Sequence, residues 1–287
     1  MEFEKLIETF GGVVSTAQLI RCGNTEREIR EAMAIGFLTR IRHGWYATRD
    51  ADPVVVKAVR SGGVASCLTA LGKHGVWVPE HPRDCHFRVT RHGQIKADDA
   101  CRRYGRDVAA VGAVDDVATA LLYSPHCVDE LGFRVLCESI LNKKLMRRAA
   151  MVKLFKGGPA YLTDIVRHAD DKPESGTETI AAQRFIGAGF SVRPQVWIAP
   201  DIRVDLLVGE VLALEIDSRA HHTGEDNYES DRARDLKVTA LGYIPQHLTY
   251  KQVVHQWPKT LEQLQILARL GMHRGPRRRN GRRKIAG

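Results

Sequence analysis

Residues Arg203–Gly242 read RVDLLVGEVLALEIDSRAHHTGEDNYESDRARDLKVTALG. Two apolar runs, Val204–Val208 and Val211–Ile216, contain Asp205 and Glu215, and Asp217 follows directly. The pair His221 and His222 comes next, and a charged segment with helical spacing then runs from Asp226 to Leu241. A carboxylate inside an apolar strand is costly unless it has a partner. One metal ion is the simplest partner for several of them. Phosphodiester hydrolysis uses such a site, because a hard cation neutralises the phosphate and activates a water, and Mg²⁺ takes oxygen ligands. The stretch therefore points to the centre of a nuclease that uses Mg²⁺ or Mn²⁺.

The flanking sequence supplies a layered α/β pattern. Asp170–Gly176 (DDKPESG) has linker composition. A helix is expected over Thr177–Ala188, then strands over Phe190–Ile198, Ile202–Val208 and Val211–Asp217. A helix over Asn227–Leu241, a strand over Tyr243–Leu248 and a last helix over Tyr250–Leu270 complete the order α-β-β-β-α-β-α. The second and third strands are apolar on both faces, so helices should flank the sheet on both sides. Ser175 and Glu178 have capping-box spacing, so Glu178 reads equally as a capping residue and as an acid that reaches the site. Asp231, Arg234 and Asp235 share one side of their helix. Arg234 could hold the scissile phosphate or pair with Asp231, and Asp235 leans toward a site role. Glu215 and Asp217, two apart on a strand, share a face. Asp205 and Glu215 share one only if the turn between their strands has odd length. A two-residue turn at Gly209-Glu210 would put them on opposite faces, whereas Gly209–Val211, or a bulge, would bring them together.

Residues 1–50 read as three short helices and a basic hairpin. The helices are Glu2–Phe10, Thr16–Arg21 and Glu26–Ile35, the last with Ile29, Ala32, Met33 and Ile35 inward. Ser15 and Asn24 or Thr25 act as caps, and Gly11-Gly12, Gly23 and Gly36 as stops. Strands Phe37–Ile41 and Gly44–Thr48 follow. This is the outline of a winged helix-turn-helix. Its third helix would enter a DNA major groove, offering Thr25, Arg27, Glu28 and Arg30, while Arg40 and Arg42 on the wing would meet phosphates. The same charges also suit a small domain used for protein contacts. Residues 51–170 read as a mixed helical and strand connector without a chemical constellation.

The chain has 287 residues, 44% hydrophobic and 27% charged, which describes a globular protein long enough for two or three domains. No apolar run suits a membrane span and the N-terminus does not resemble a signal peptide, so a cytoplasmic protein without membrane contact is expected. Cys22, Cys67, Cys85, Cys101, Cys127 and Cys137 form no CxxC pair. That spacing argues against a zinc site and for ordinary free thiols. His74, His81, His86 and His92 lack regular ligand spacing and read as structural or exposed. Of the net charge of +9, most lies in the tail His273–Gly287, with Arg277, Arg278 and Arg279 at its centre and no acid. Such a tail suits a phosphate backbone, or serves as a solubilising terminus.

Two resemblances follow. Gly11–Ala47, GGVVSTAQLIRCGNTEREIREAMAIGFLTRIRHGWYA, resembles the N-terminal winged-helix domain of AbiE-type abortive-infection antitoxins, which implies a DNA-binding autoregulator. RVDLLV, LALEIDSRAHH, DRARDLKVTALGY and LTYKQV together resemble the PD-(D/E)xK nuclease superfamily, in particular the branch similar to very-short-patch-repair (Vsr) endonucleases. The implied layout is a winged helix-turn-helix over 1–50, a connector over 51–170, a PD-(D/E)xK domain with a central mixed sheet over 171–272, and a disordered basic tail over 273–287. The second resemblance places the metal on Asp205 and Glu215, with the Ile216 carbonyl as a third oxygen. Asp217 stands where the superfamily has Lys, and His221 or His222 would handle protons as in the Vsr-like branch. Ser218 replaces a common Gly, and Pro245, Gln246 and His247 replace an apolar-Arg-aromatic pattern. Pro245 calls for an edge strand or a strand start.

Three functions fit these residues. The first is a metal-dependent endonuclease acting on double-stranded DNA, as in phage defence or restriction of foreign DNA. The second is a non-enzymatic regulator or antitoxin whose nuclease fold serves a homodimer or binds a toxin. The third is an RNA nuclease toxin.

Overall fold

The computed structural model describes residues 3–90, 100–104, 108–217 and 225–269. The chain is a mixed α and β protein that divides into two compact units, Met1–Asp171 and Lys172–Gly287. Among the described residues no helix is long and apolar enough to cross a membrane. His221, His222, Arg277, Arg278 and Arg279 lie outside the described residues.

The first unit begins with α1 (Phe3–Thr9), β1 (Val13–Ser15), α2 (Thr16–Arg21), α3 (Glu26–Ala34), β2 (Leu38–Arg42) and β3 (Trp45–Thr48). The three strands form an antiparallel sheet in the order β1-β3-β2. Reciprocal capping boxes start the two central helices, Ser15 with Gln18 and Thr25 with Glu28. The third helix ends earlier than its apolar spacing suggests. Ile35 lies at its C-cap and is 81% exposed, not inward, because Gly36 takes a left-handed φ of 77° and turns the chain away.

There follow α4 (Pro53–Arg60), β4 (Gly63–Ala65), α5 (Cys67–Lys73), β5 (Phe87–Val89) and α6 (Val117–Tyr123). A 3₁₀ turn at Ser124–His126 leads to α7 (Glu130–Asn142), α8 (Arg148–Leu154) and α9 (Ala160–His168). Asp52, Asp116 and Asp129 cap α4, α6 and α7 through their carboxylates. The apolar face of each element joins one continuous core, from Leu6, Val13 and Leu19 through Val55, Leu71 and Phe133 to Leu162 and Val166.

That core contains an ion pair. Arg88 on β5 is the largest fully buried side chain, and its Nε and Nη2 donate to Asp115 at 2.5 and 2.8 Å. Its Nη1 donates to the Val108 carbonyl at 2.7 Å. A fork–fork pair with its remaining donors satisfied is tolerated in a core, but removing one partner strands the other charge.

The second unit contains α10 (Gly176–Gly187), β6 (Val192–Ala199), β7 (Ile202–Val208), β8 (Leu212–Asp217), α11 (Glu225–Ala240), β9 (Ile244–Thr249), α12 (Tyr250–Val254) and α13 (Trp257–Arg269). Its sheet has the order β6-β7-β8-β9, antiparallel except for the parallel pair β8–β9. Pro194 and Pro245 fall on the two edge strands, where a missing N–H leaves no central ladder broken. The expected single last helix is two helices. Pro258 cannot continue a helix but fits its first turn, so α13 starts anew at Trp257. Phe185 of α10 stacks edge-on against Trp257 at 5.0 Å and joins these helices.

Replacing Arg88 by Ala should destabilise the first unit by about 3–5 kcal/mol. Urea unfolding of wild type and variant measures this, and a loss below ~1 kcal/mol would show that the Asp115 charge finds another partner.

Candidate functional site

The hairpin β7–β8 decides which side chains meet. Its register pairs Leu206 with Leu214, Leu207 with Ala213 and Val208 with Leu212. The connection is thus the three residues Gly209–Val211, opened by Gly209 at a φ of 64° that a side chain would resist. Continued one step, the register sets Asp205 opposite Glu215 on the same face of the sheet. The Ile216 N–H donates to Asp205 Oδ2 at 2.8 Å and fixes that carboxylate in place.

Two more groups join from neighbouring elements. Gln195 on β6 lies between the partners Pro194–Leu206 and Val196–Val204, and so opposite Asp205. It adopts a left-handed φ of 52°, a conformation rare for a residue with a side chain. Its Nε2 donates to Asp205 Oδ1 at 3.2 Å and to Glu178 Oε2 at 2.8 Å, while its buried Oε1 has no partner. Glu178 sits in the first turn of α10. Ser175 Oγ caps the helix by accepting from Glu178 N, but the Glu178 carboxylate turns away to accept from Glu174 N at 2.9 Å and from Gln195. The backbone is thus capped by Ser175, and the acid shares Gln195 Nε2 with Asp205.

Burial pushes the carboxyls of Glu178, Asp205 and Glu215 above their ordinary values. For Glu178 and Glu215 the nearby Asp205 charge adds to this. Hydrogen bonds from Ile216 N–H and Gln195 act the other way at Asp205, and Arg234 does so at Glu215.

Arg234 of α11 does not pair with Asp231 as its helical spacing allowed. Its Nη2 reaches across to Glu215 Oε1 at 2.6 Å and to the Arg203 carbonyl at 2.5 Å, and Asp231 is exposed. His247 was visible in the sequence only as a departure from the expected apolar strand. The parallel pairing of β9 with β8 sets it beside Glu215, and its Nε2 meets Asp235 Oδ1 at 3.0 Å. Gln195 carried no sequence signal, since neither its backbone conformation nor its partners follow from spacing. Asp217 closes β8 at an exposed position.

In the first unit the predicted contact residues differ among themselves. Arg27 is exposed and pairs with Glu31 at 3.4 Å, and the exposed Arg30 folds back on the Glu26 carbonyl. Arg40 is exposed beside His43. The Thr25 hydroxyl is engaged with Glu28, and Arg42 donates inward to the Val59 carbonyl at 3.4 Å.

Cysteine spacing argued against a metal centre, yet the fold brings three of the cysteines and a histidine together. Among the described residues, the group of three or more potential ligands lying within 4.8 Å of one another is Cys67, His86, Cys101 and Cys127, which could hold a metal ion. His86 is 2% exposed, so it is not a surface histidine. The carboxylates of the second unit are more loosely grouped, with Glu215 turned to Arg234.

The raised carboxyls have a consequence for stability. Between the unfolded and folded pKa values the native state holds more protons than the unfolded chain, so stability falls as pH rises through that window and the loss persists above it. Glu178→Gln keeps one oxygen for both of its present donors and removes a charge. It should match wild type below pH 4.5, the ordinary value for Glu178, and at neutral pH in EDTA raise the unfolding midpoint by a few degrees, the response to roughly 1 kcal/mol. Thermal unfolding across pH checks this, and a variant less stable than wild type at neutral pH would contradict it. No protein-family model and no curated protein matches the chain.

Proposed function

We propose that the second unit is a metal-dependent endonuclease of the PD-(D/E)xK kind, similar to the Vsr branch, and that the first unit is a winged helix-turn-helix that holds double-stranded DNA. The observation that carries this reading is the set of three desolvated carboxylates, Glu178, Asp205 and Glu215, with Gln195 and its orphaned Oε1 joining the first two. These donors are all oxygens, several of them short of compensating charge, which fits a hard cation such as Mg²⁺ or Mn²⁺ and not a thiophilic one. Asp205 and Glu215 would hold it, with Glu178, Gln195 Oε1 and the Ile216 carbonyl as further oxygens. When bound, the ion supplies charge neutralisation at the phosphate and lowers the pKa of a water.

The remaining work falls to side chains. Ile216 N–H and Gln195 Nε2 orient Asp205. Arg234 neutralises Glu215 and lies where a guanidinium can turn to a phosphate oxygen. His247, held through Nε2 by Asp235, keeps Nδ1 to accept the proton of the attacking water. As the new O–P bond forms, the bond from phosphorus to the leaving oxygen breaks, and a proton returns to that oxygen. His247 takes the part that the sequence assigned to His221 or His222.

The order α-β-α-α-β-β with strands β1-β3-β2 supports the winged-helix reading of the N-terminal segment. Arg27, Arg30 and Arg40 are among its exposed cations. One observation favours the second reading, a regulator or antitoxin that dimerises or binds a toxin. Arg234 already stands at 2.6 Å from Glu215, where it could replace the cation of a retired site.

Supercoiled plasmid, linear duplex and RNA incubated with the full chain in Mg²⁺ or Mn²⁺ separate these readings. The endonuclease reading expects cleavage of DNA that falls to the EDTA baseline in Asp205→Ala. Equal cutting by that variant removes the proposed site. Tight duplex binding without cleavage of any substrate assigns the regulator instead. For the first unit, Arg40→Ala on the wing should reduce the slope of log affinity against log salt by about 1, the loss of one phosphate contact. An unchanged slope would place DNA elsewhere.

A further inference from the structure

We infer that the first unit holds a structural zinc ion on Cys67, His86, Cys101 and Cys127. All four ligand atoms lie within 4.8 Å of one another, and Cys67, His86 and Cys101 are buried. The Cys101 and Cys127 sulfurs are 3.7 Å apart, and Cys101 Sγ is 3.4 Å from His86 Nδ1. Tetrahedral zinc, with bonds of about 2.3 Å to sulfur and 2.0–2.1 Å to nitrogen, sets sulfur–sulfur edges near ~3.8 Å and sulfur–nitrogen edges near ~3.6 Å. These two separations lie close to those edges, and the remaining pairs stay within 4.8 Å. Three thiolates and one imidazole are also a donor set that selects zinc over the harder cation assigned to the second unit.

The surroundings fit the assignment. His86 Nε2 lies 2.9 Å from His81 Nδ1, so a second imidazole orients the first and leaves Nδ1 directed at the thiols. This is the outer-shell support that metal-bound histidines have. Cys67 keeps a left-handed φ of 49°, and the neighbouring Ser66 hydroxyl is buried without a partner. Such local costs persist where a position is required for something besides packing. The Cys67 thiol now donates to the Tyr123 carbonyl at 3.4 Å, a bond it would give up on deprotonation.

The ligands come from four places in the chain. Cys67 opens α5, His86 precedes β5, Cys101 follows β5, and Cys127 follows the 3₁₀ turn. An ion there would tie together segments far apart in sequence, and its binding energy would become folding energy of this unit.

Elemental analysis of the full chain, expressed with zinc and desalted, should find one zinc per chain. Replacement by Co²⁺ should give the visible bands and thiolate charge-transfer absorption of a tetrahedral, sulfur-rich site. Cys101→Ser with Cys127→Ser should lose both, whereas Cys22→Ser and Asp205→Asn keep both, which separates this site from the oxygen site of the second unit. If the double variant fails to fold, Co²⁺ spectra of wild type alone still decide the question. Zinc well below one equivalent without a Co²⁺ spectrum, a disulfide mapped between Cys101 and Cys127, or full zinc in a folded double variant would each overturn the assignment.

Discussion

The turn Gly209–Val211 is the constraint on which the second unit's chemistry depends. Side chains alternate along a strand, so one residue more or less in a hairpin loop moves a whole strand's side chains to the other face. The odd length of this turn puts Asp205 and Glu215 on one face, and the Ile216 N–H then clamps Asp205 at 2.8 Å. Everything else in the site is arranged around that pair. Gln195 bends its backbone into a left-handed conformation to reach Asp205 and Glu178 together, and Arg234 crosses from α11 to Glu215.

The resulting site is electrostatically unfinished. Three carboxyls are pushed upward by burial, while the groups that oppose this include one guanidinium, one amide and the backbone N–H groups of Glu174 and Ile216. A protein that only had to be stable would be better served by apolar residues at these positions. The arrangement is intelligible as a holder for positive charge, supplied by a cation in the nuclease reading and by Arg234 in the regulatory one.

The first unit is built on a different logic. Its core contains a buried Arg88–Asp115 pair with its donors satisfied, and a Cys/His group whose ligand atoms converge within 4.8 Å of one another. A satisfied polar group holds a core in one arrangement. The two units thus present two chemically distinct side-chain groups, one of soft donors and one of oxygens.

Much of this was legible in sequence. Apolar runs, caps and glycine stops marked most elements, because those signals are local: Ser15, Thr25 and Ser175 cap the expected helices, and Asp205 and Glu215 stand out as acids among apolar residues. The limits were those of local reasoning. The turn parity was recognisable as a question but not answerable, since Gly209-Glu210-Val211 permits more than one hairpin. The partner of Arg234, the neighbourhood of His247 and the role of Gln195 depend on which strands lie side by side, and β9 joins β8 only through a crossover. The cysteines show the limit most plainly. Their spacing argued against a metal, because ligand spacing is informative only when one short loop carries the ligands. Here sequence alone determined the residue types and the local elements. The tertiary fold decided which of them touch, because ligands far apart in the chain meet only when α5, β5 and the turn after α6 pack into one core.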